Sequence, residues 1–119
     1  MLAHNIHTET ELLDLLKEGN TEAFTSIYQL HAPALTGFAA SRLSSVEEAR
    51  DIIHDLFTHL WDSRETLQIN GSLKAYLFAA VRYRIIDQIR KNITRKEYAG
   101  MLERLYGHMV ADSEAEIIS

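Results

Sequence analysis

Helix-start signals recur along this chain, and the apolar residues after each repeat at helical rather than strand spacing. Thr8 with Glu11 and Ser45 with Glu48 both fit the capping box, in which each side chain satisfies the other residue's backbone amide. Leu12, Leu13, Leu15 and Leu16 follow the first signal and Gly19-Asn20 supplies a stop, so a short helix is predicted over about 9–18. A second begins near Thr21 with Phe24, Ile27, Tyr28 and Leu30 in phase. Pro33 either kinks it or opens a fresh segment, 33–43, carrying Leu35, Phe38, Ala39 and Leu43. Ser45 then opens a helix reaching about Asp62.

Residues 63–72 are polar, with Asn70-Gly71 as a turn pair and Ser72 as the N-cap of the next helix. That helix runs from Leu73 to Lys91 or beyond. A last one, over about 95–110, places Tyr98, Met101, Leu102, Leu105, Tyr106 and Met109 on one stripe, and an acidic, frayed tail is expected from Ala111. With one proline, five glycines and abundant Leu, Ala, Ile and Glu, the expected fold is all-α: a compact bundle of about four to five helices and a further C-terminal helix.

At 119 residues the chain has the size of one domain. It has no cysteine, which excludes a disulfide framework, a thiolate nucleophile and a thiolate-ligated metal. The start, MLAHNIHTETELL, lacks the basic and apolar stretches of a signal peptide, and no run of about 18 apolar residues marks a membrane span. A cytoplasmic protein without membrane insertion is the expectation.

Charge is distributed unevenly. Between Lys74 and Lys96 lie seven of the twelve basic residues (Lys74, Arg82, Arg84, Arg90, Lys91, Arg95, Lys96) against the single acid Asp87, a net +6. The remainder carries five bases and sixteen acids, a net −11. One segment therefore attracts phosphates, while the rest repels them or meets a basic partner.

Wound at about 100° per residue, the helix 46–62 gathers Ile52, Ile53, Leu56, Phe57, Leu60 and Trp61 on one face. Asp51, Asp55, Thr58 and Asp62 fall nearly on one line opposite, flanked by His54 and His59. Such a line is either a solvated acidic ridge or a docking ridge for a basic partner; the carboxylates repel one another at this spacing and no cation on the line relieves them. On the helix 73–91, Leu77, Phe78, Val81, Ile85 and Ile89 form the expected buried stripe. Tyr76, Ala79, Ala80, Tyr83, Asp87 and Arg90 fall on the far side, with Arg84 and Lys91 flanking. Tyrosines offer stacking platforms to unpaired bases, arginines hold phosphates or base edges, and alanines let a backbone approach closely. The alternative is that the tyrosines pack on a neighbouring helix and the charges are merely solvated.

No catalytic or cofactor motif emerges. His54 and His59 stand five residues apart, so their rings diverge by about 140° instead of sharing a face as a zinc-protease pair does, and no glutamate base accompanies them. There is no nucleophile elbow and no glycine-rich phosphate loop, and Glu47-Glu48 suits first-turn dipole compensation. The expectation is a non-enzyme with no metal and no cofactor.

Several stretches, in order, resemble region two of bacterial sigma factors, closest to the extracytoplasmic-function (ECF) group: Glu18-Gly19-Asn20-Thr21-Glu22-Ala23-Phe24; Glu48 through Phe57 with Leu60-Trp61; Ser72 through Phe78; and Val81 through Asp87 with Arg90-Lys91. Together they span about residues 10–92. The resemblance implies a region-two-like domain over 1–92 and an interdomain linker with an amphipathic helix over 93–119. It implies that the helix 46–62 docks on the clamp helices of the RNA polymerase beta-prime subunit through Asp51, His54, Asp55 and their neighbours Thr58 and Asp62. It further implies that the loop Leu67 to Ser72 captures a base flipped from the non-template strand of the minus-ten promoter element, and that the helix 73–91 lies against that element and helps melt it. On this chain Gln68 and Asn70 offer amide edges beside Ser72, Lys74 a phosphate contact, and Tyr76 and Tyr83 stacking surfaces, with Arg84, Arg90 and Lys91 as further cations.

Two positions depart from the family pattern: Tyr83 stands where it has asparagine and His54 where it has glutamine. The family's second domain, a helix-turn-helix, does not follow in these 119 residues, so a truncated form of a longer protein is expected, with a natural single-domain version as the alternative. The stripe over 95–110 then folds back on the domain, pairs with a second copy, or binds an anti-sigma factor. The rival reading is an all-helical interaction adaptor whose basic helix grips an acidic protein and which ignores nucleic acid.

Overall fold

A computed structural model describes the backbone of residues 7–113 and the side chains of residues 7–107. The described residues form four helices and no strand: α1 (Glu9–Lys17), α2 (Thr21–Leu43), α3 (Val46–Asp62) and α4 (Leu73–Ser113). The chain divides into two compact units, Met1–Ile85 and Ile86–Ser119.

Local chemistry sets the helix ends. Thr8 and Glu11 form the full reciprocal capping box at the start of α1, with bonds of 3.1 and 2.8 Å. Gly19, at φ 86°, turns the chain, and the Asn20 side chain accepts the Ala23 amide at 2.8 Å to open α2. The left-handed residue that ends α2 is Ser44, at φ 61°; Ser45 Oγ then accepts the Glu48 amide at 3.2 Å to start α3.

Pro33 does not divide α2, which runs from Thr21 to Leu43. Ala32, Leu35, Ala39 and Leu43 on either side are all buried, so packing holds the helix through the lost amide bond.

In the first unit Leu12 and Leu16 of α1, the buried stripe of α2, Ile52, Ile53, Leu56, Phe57 and Leu60 of α3, and Leu73, Leu77, Val81 and Ile85 of α4 close one core. No polar or charged side chain is buried among the described residues. Aromatic edges bind α2 to its neighbours: Phe24 meets Trp61 at 5.3 Å, Tyr28 meets Phe57 at 4.8 Å, and Phe38 meets Phe78 at 5.5 Å.

The separate C-terminal helix expected from about residue 95 is instead the continuation of α4. Nothing at residues 91–95 can stop a helix, since no glycine or proline interrupts the chain there. Asn92, which could have competed with the backbone, accepts from Gln88 at 3.0 Å and from Arg95.

In the second unit Ile89, expected to prolong the buried stripe, is 37% exposed, and Ile86, Ile93, Tyr98, Met101, Leu105 and Tyr106 are exposed as well. The Met109 end of the expected stripe and the acidic tail lie outside the residues whose side chains are described.

Candidate nucleic-acid and protein interfaces

On α3 the buried and polar faces separate cleanly. Asp51, Asp55, Thr58 and Asp62 are all exposed, as are His54 and His59 beside them. No ion pair reaches Asp51, Asp55 or Asp62 from any described residue. Aligned carboxylates without counter-charges give this helix a negative ridge available to a cationic surface.

Past α3 the chain turns through Ser63–Thr66 and then runs extended. Arg64 secures the turn: its Nη1 donates to the Trp61 carbonyl at 2.8 Å and its guanidinium lies over the Trp61 ring at 4.2 Å. From there side chains alternate. Leu67 is buried and Ile69 packs on the core, while Gln68 and Asn70, each one residue further on, are exposed. Two apolar pins thus hold the loop and present both amides outward. Gly71, at φ 91°, makes the turn into α4, where the Ser72 hydroxyl accepts the Ala75 amide at 3.1 Å.

The first orphan amide of α4, that of Leu73, has a partner 64 residues away: Glu9 Oε2 accepts it at 2.8 Å. Glu9 is the opening residue of α1, so one carboxylate lies at the positive ends of two helices. His31, half-buried on α2, feels Glu9 and Lys74 from the same region. Its pKa is held below the ordinary value chiefly by burial; Lys74 pushes the same way and Glu9 opposes them.

The two tyrosines of α4 do not share one environment. Tyr83 is 73% exposed, whereas Tyr76, expected on the solvent face, packs against the core, and Ala80 does likewise. The buried stripe Leu73, Leu77, Val81, Ile85 steps by four residues and so drifts about 40° per step around the helix. Tyr76 lies about 90° from that stripe, on its flank, while seven residues later Tyr83 lies nearly opposite it. Arg84 is half-buried for the same reason, and Lys74 is exposed. Arg82, not among the expected contacts, stands exposed beside Tyr83. It lies on the flank of the stripe opposite to Tyr76 and Arg84.

In the second unit Arg90 and Lys91 are exposed, and with Arg95, Gln88 and Thr94 they line a shallow hollow. Lys91 also pairs with Asp87 at 3.5 Å on the helix surface. Among the described residues no three metal-ligating side chains come together.

A family model, sigma-70 region 2, matches residues 27–94, more than half of the chain. The chain belongs to the sigma-70 region 2 family. No curated protein and no solved structure matches it. Sigma region 2 is a domain of transcription-initiation factors and not an enzyme family, and it carries a role in promoter recognition with RNA polymerase core and promoter DNA as partners. The match takes in the α3 ridge, the loop and the cationic part of α4 as far as Lys91. It leaves α1, and with it Glu9, outside. No helix of the described residues is long and apolar enough to cross a membrane.

Proposed function

We propose that this chain is the promoter-reading and polymerase-docking domain of a cytoplasmic ECF-type sigma factor, with region two over 1–92 and a linker over 93–119. One observation carries the reading: an exposed carboxylate ridge on α3 without cationic partners, and exposed cations with an open phenol ring on α4. In this reading Asp51, His54, Asp55, Thr58 and Asp62 meet the basic clamp helices of the beta-prime subunit. Charge complementarity of this kind sets encounter rate and orientation more than raw affinity.

The loop from Leu67 to Ser72 receives a base turned out of the non-template strand of the minus-ten element. Flipping costs a few kcal/mol of unstacking, which contacts to the extruded base and to its neighbours must offset. Gln68 and Asn70 hold free amide donors and acceptors at that place, and Tyr83 offers a stacking face of about 1–3 kcal/mol per base. Lys74, Arg84, Arg90 and Lys91 neutralise phosphates of the opened strand, while Tyr76, half-buried against the core, offers less surface than Tyr83. The exposed strip from Tyr98 to Tyr106 suits an apolar partner, either an anti-sigma factor or a second copy pairing through 95–110.

The test has two arms. Asp51→Lys with Asp55→Lys abolishes capture of RNA polymerase core from a bacterial lysate, where the unmodified chain retains it. Tyr83→Ala weakens binding to a random-sequence pool of short single-stranded DNA by about 1–3 kcal/mol. Core capture that ignores the charge reversal removes the docking assignment; indifference of the unmodified chain to single strands and to core leaves the adaptor reading.

A further inference from the structure

We infer that Glu9, on the helix outside the family-matching segment, is a positioning residue that locks the promoter-reading loop onto α4. The inference rests on the reading of residues 67–72 given above. The loop has three attachments. Leu67 and Ile69 fix its middle by burial, and Ser72 caps the first turn of α4. Its exit, the Leu73 amide, is held by the Glu9 carboxylate at 2.8 Å in a part-buried contact.

A carboxylate accepting a backbone amide at a helix start is a charge-assisted bond, stronger than a neutral one. Leu73 itself is buried, so water cannot readily replace the acceptor. Losing the bond frees the turn at Gly71, whose backbone has the widest choice of conformations, and the directions of Asn70 and Lys74 on either side loosen with it. His31, close enough to both Glu9 and Lys74 to be influenced by them, marks this as a meeting point of α1, α2 and α4.

Electrostatics alone gives the opposite expectation. Glu9 is an anion beside a surface assigned to phosphates, so removing it should tighten DNA binding. Reach and charge are therefore separable. Glu9→Asp keeps the charge but draws the oxygens back by one methylene, Glu9→Gln keeps an acceptor at the same reach without the charge, and Glu9→Ala keeps neither.

Two quantities decide, both measured on the 119-residue chain: hydrogen exchange at the Leu73 and Lys74 amides, and affinity for the single-stranded pool. With Asp or Ala at position 9, Leu73 exchange rises and affinity falls about three- to tenfold, the scale of one net hydrogen bond; with Gln, which keeps a neutral acceptor at the same reach, both move less. Affinities that follow charge, with Ala and Gln both tighter, overturn the inference, and so does unchanged Leu73 exchange in the Asp variant. An unmodified chain that binds no pool at all removes the loop reading itself and this inference with it. Binding that weakens with Tyr83→Ala but not with Glu9→Asp removes the inference alone.

Discussion

His31 sits half-buried on α2, and withdrawal of its ring from water, aided by Lys74 and opposed by Glu9, holds its pKa below the ordinary 6.5. A histidine with a lowered folded-state pKa binds fewer protons folded than unfolded in the window between the two values, so stability rises with pH there. The stabilisation is complete above pH 6.5 and declines as the solution is acidified below it. Replacing His31 with Gln removes a titrating group, and the thermal midpoint then changes less between pH 6.5 and 4.5. Below that interval Glu11 adds a separate acid loss, its pKa lowered first by the Thr8 backbone amide. Thermal melts of both chains across this range measure the difference, and parallel curves would refute the assignment.

Within α2, Pro33 occupies an exposed position in the interior of a continuous helix. Its ring removes one backbone bond and costs about 3 kcal/mol in helix propensity against alanine. Proline also restricts the unfolded chain, worth about 0.4–1 kcal/mol in the other direction. Pro33→Ala is therefore expected to stabilise the domain by about 2–2.6 kcal/mol, read as a higher urea midpoint with an unchanged slope. The starts of α1, α2, α3 and α4 were legible because single polar residues at Thr8, Asn20 or Thr21, Ser45 and Ser72 carry them. The α3 ridge was legible because its spacing stays on one line over about three turns. Tyr76 was misplaced because a stripe stepping by four drifts, which a fixed wheel centred on the whole helix averages away. The unbroken α4 was missed because the buried stripe of its first half ends near Ile85 and a differently placed apolar stripe begins at Tyr98, which reads as two helices although no glycine or proline parts them. Glu9 was invisible, since a contact spanning 64 residues leaves no local pattern.

Across the whole molecule, a net −5 chain keeps a +6 segment between Lys74 and Lys96. Single-stranded DNA held by such a segment releases counterions, so the logarithm of affinity falls linearly with that of salt at about −0.7 per phosphate neutralised. Lys74→Ala should weaken binding and flatten that slope by about 0.7, which anisotropy titrations over a salt series measure directly. An unchanged slope would take Lys74 out of the phosphate contacts.

The alternation over 67–70 has a further effect. Leu67 and Ile69 anchor the loop from within, and the residues that follow each of them support nothing in the interior. Substitutions at Gln68 and Asn70 therefore leave the scaffold intact, so the outward chemistry of this loop can be exchanged without repacking the protein beneath it.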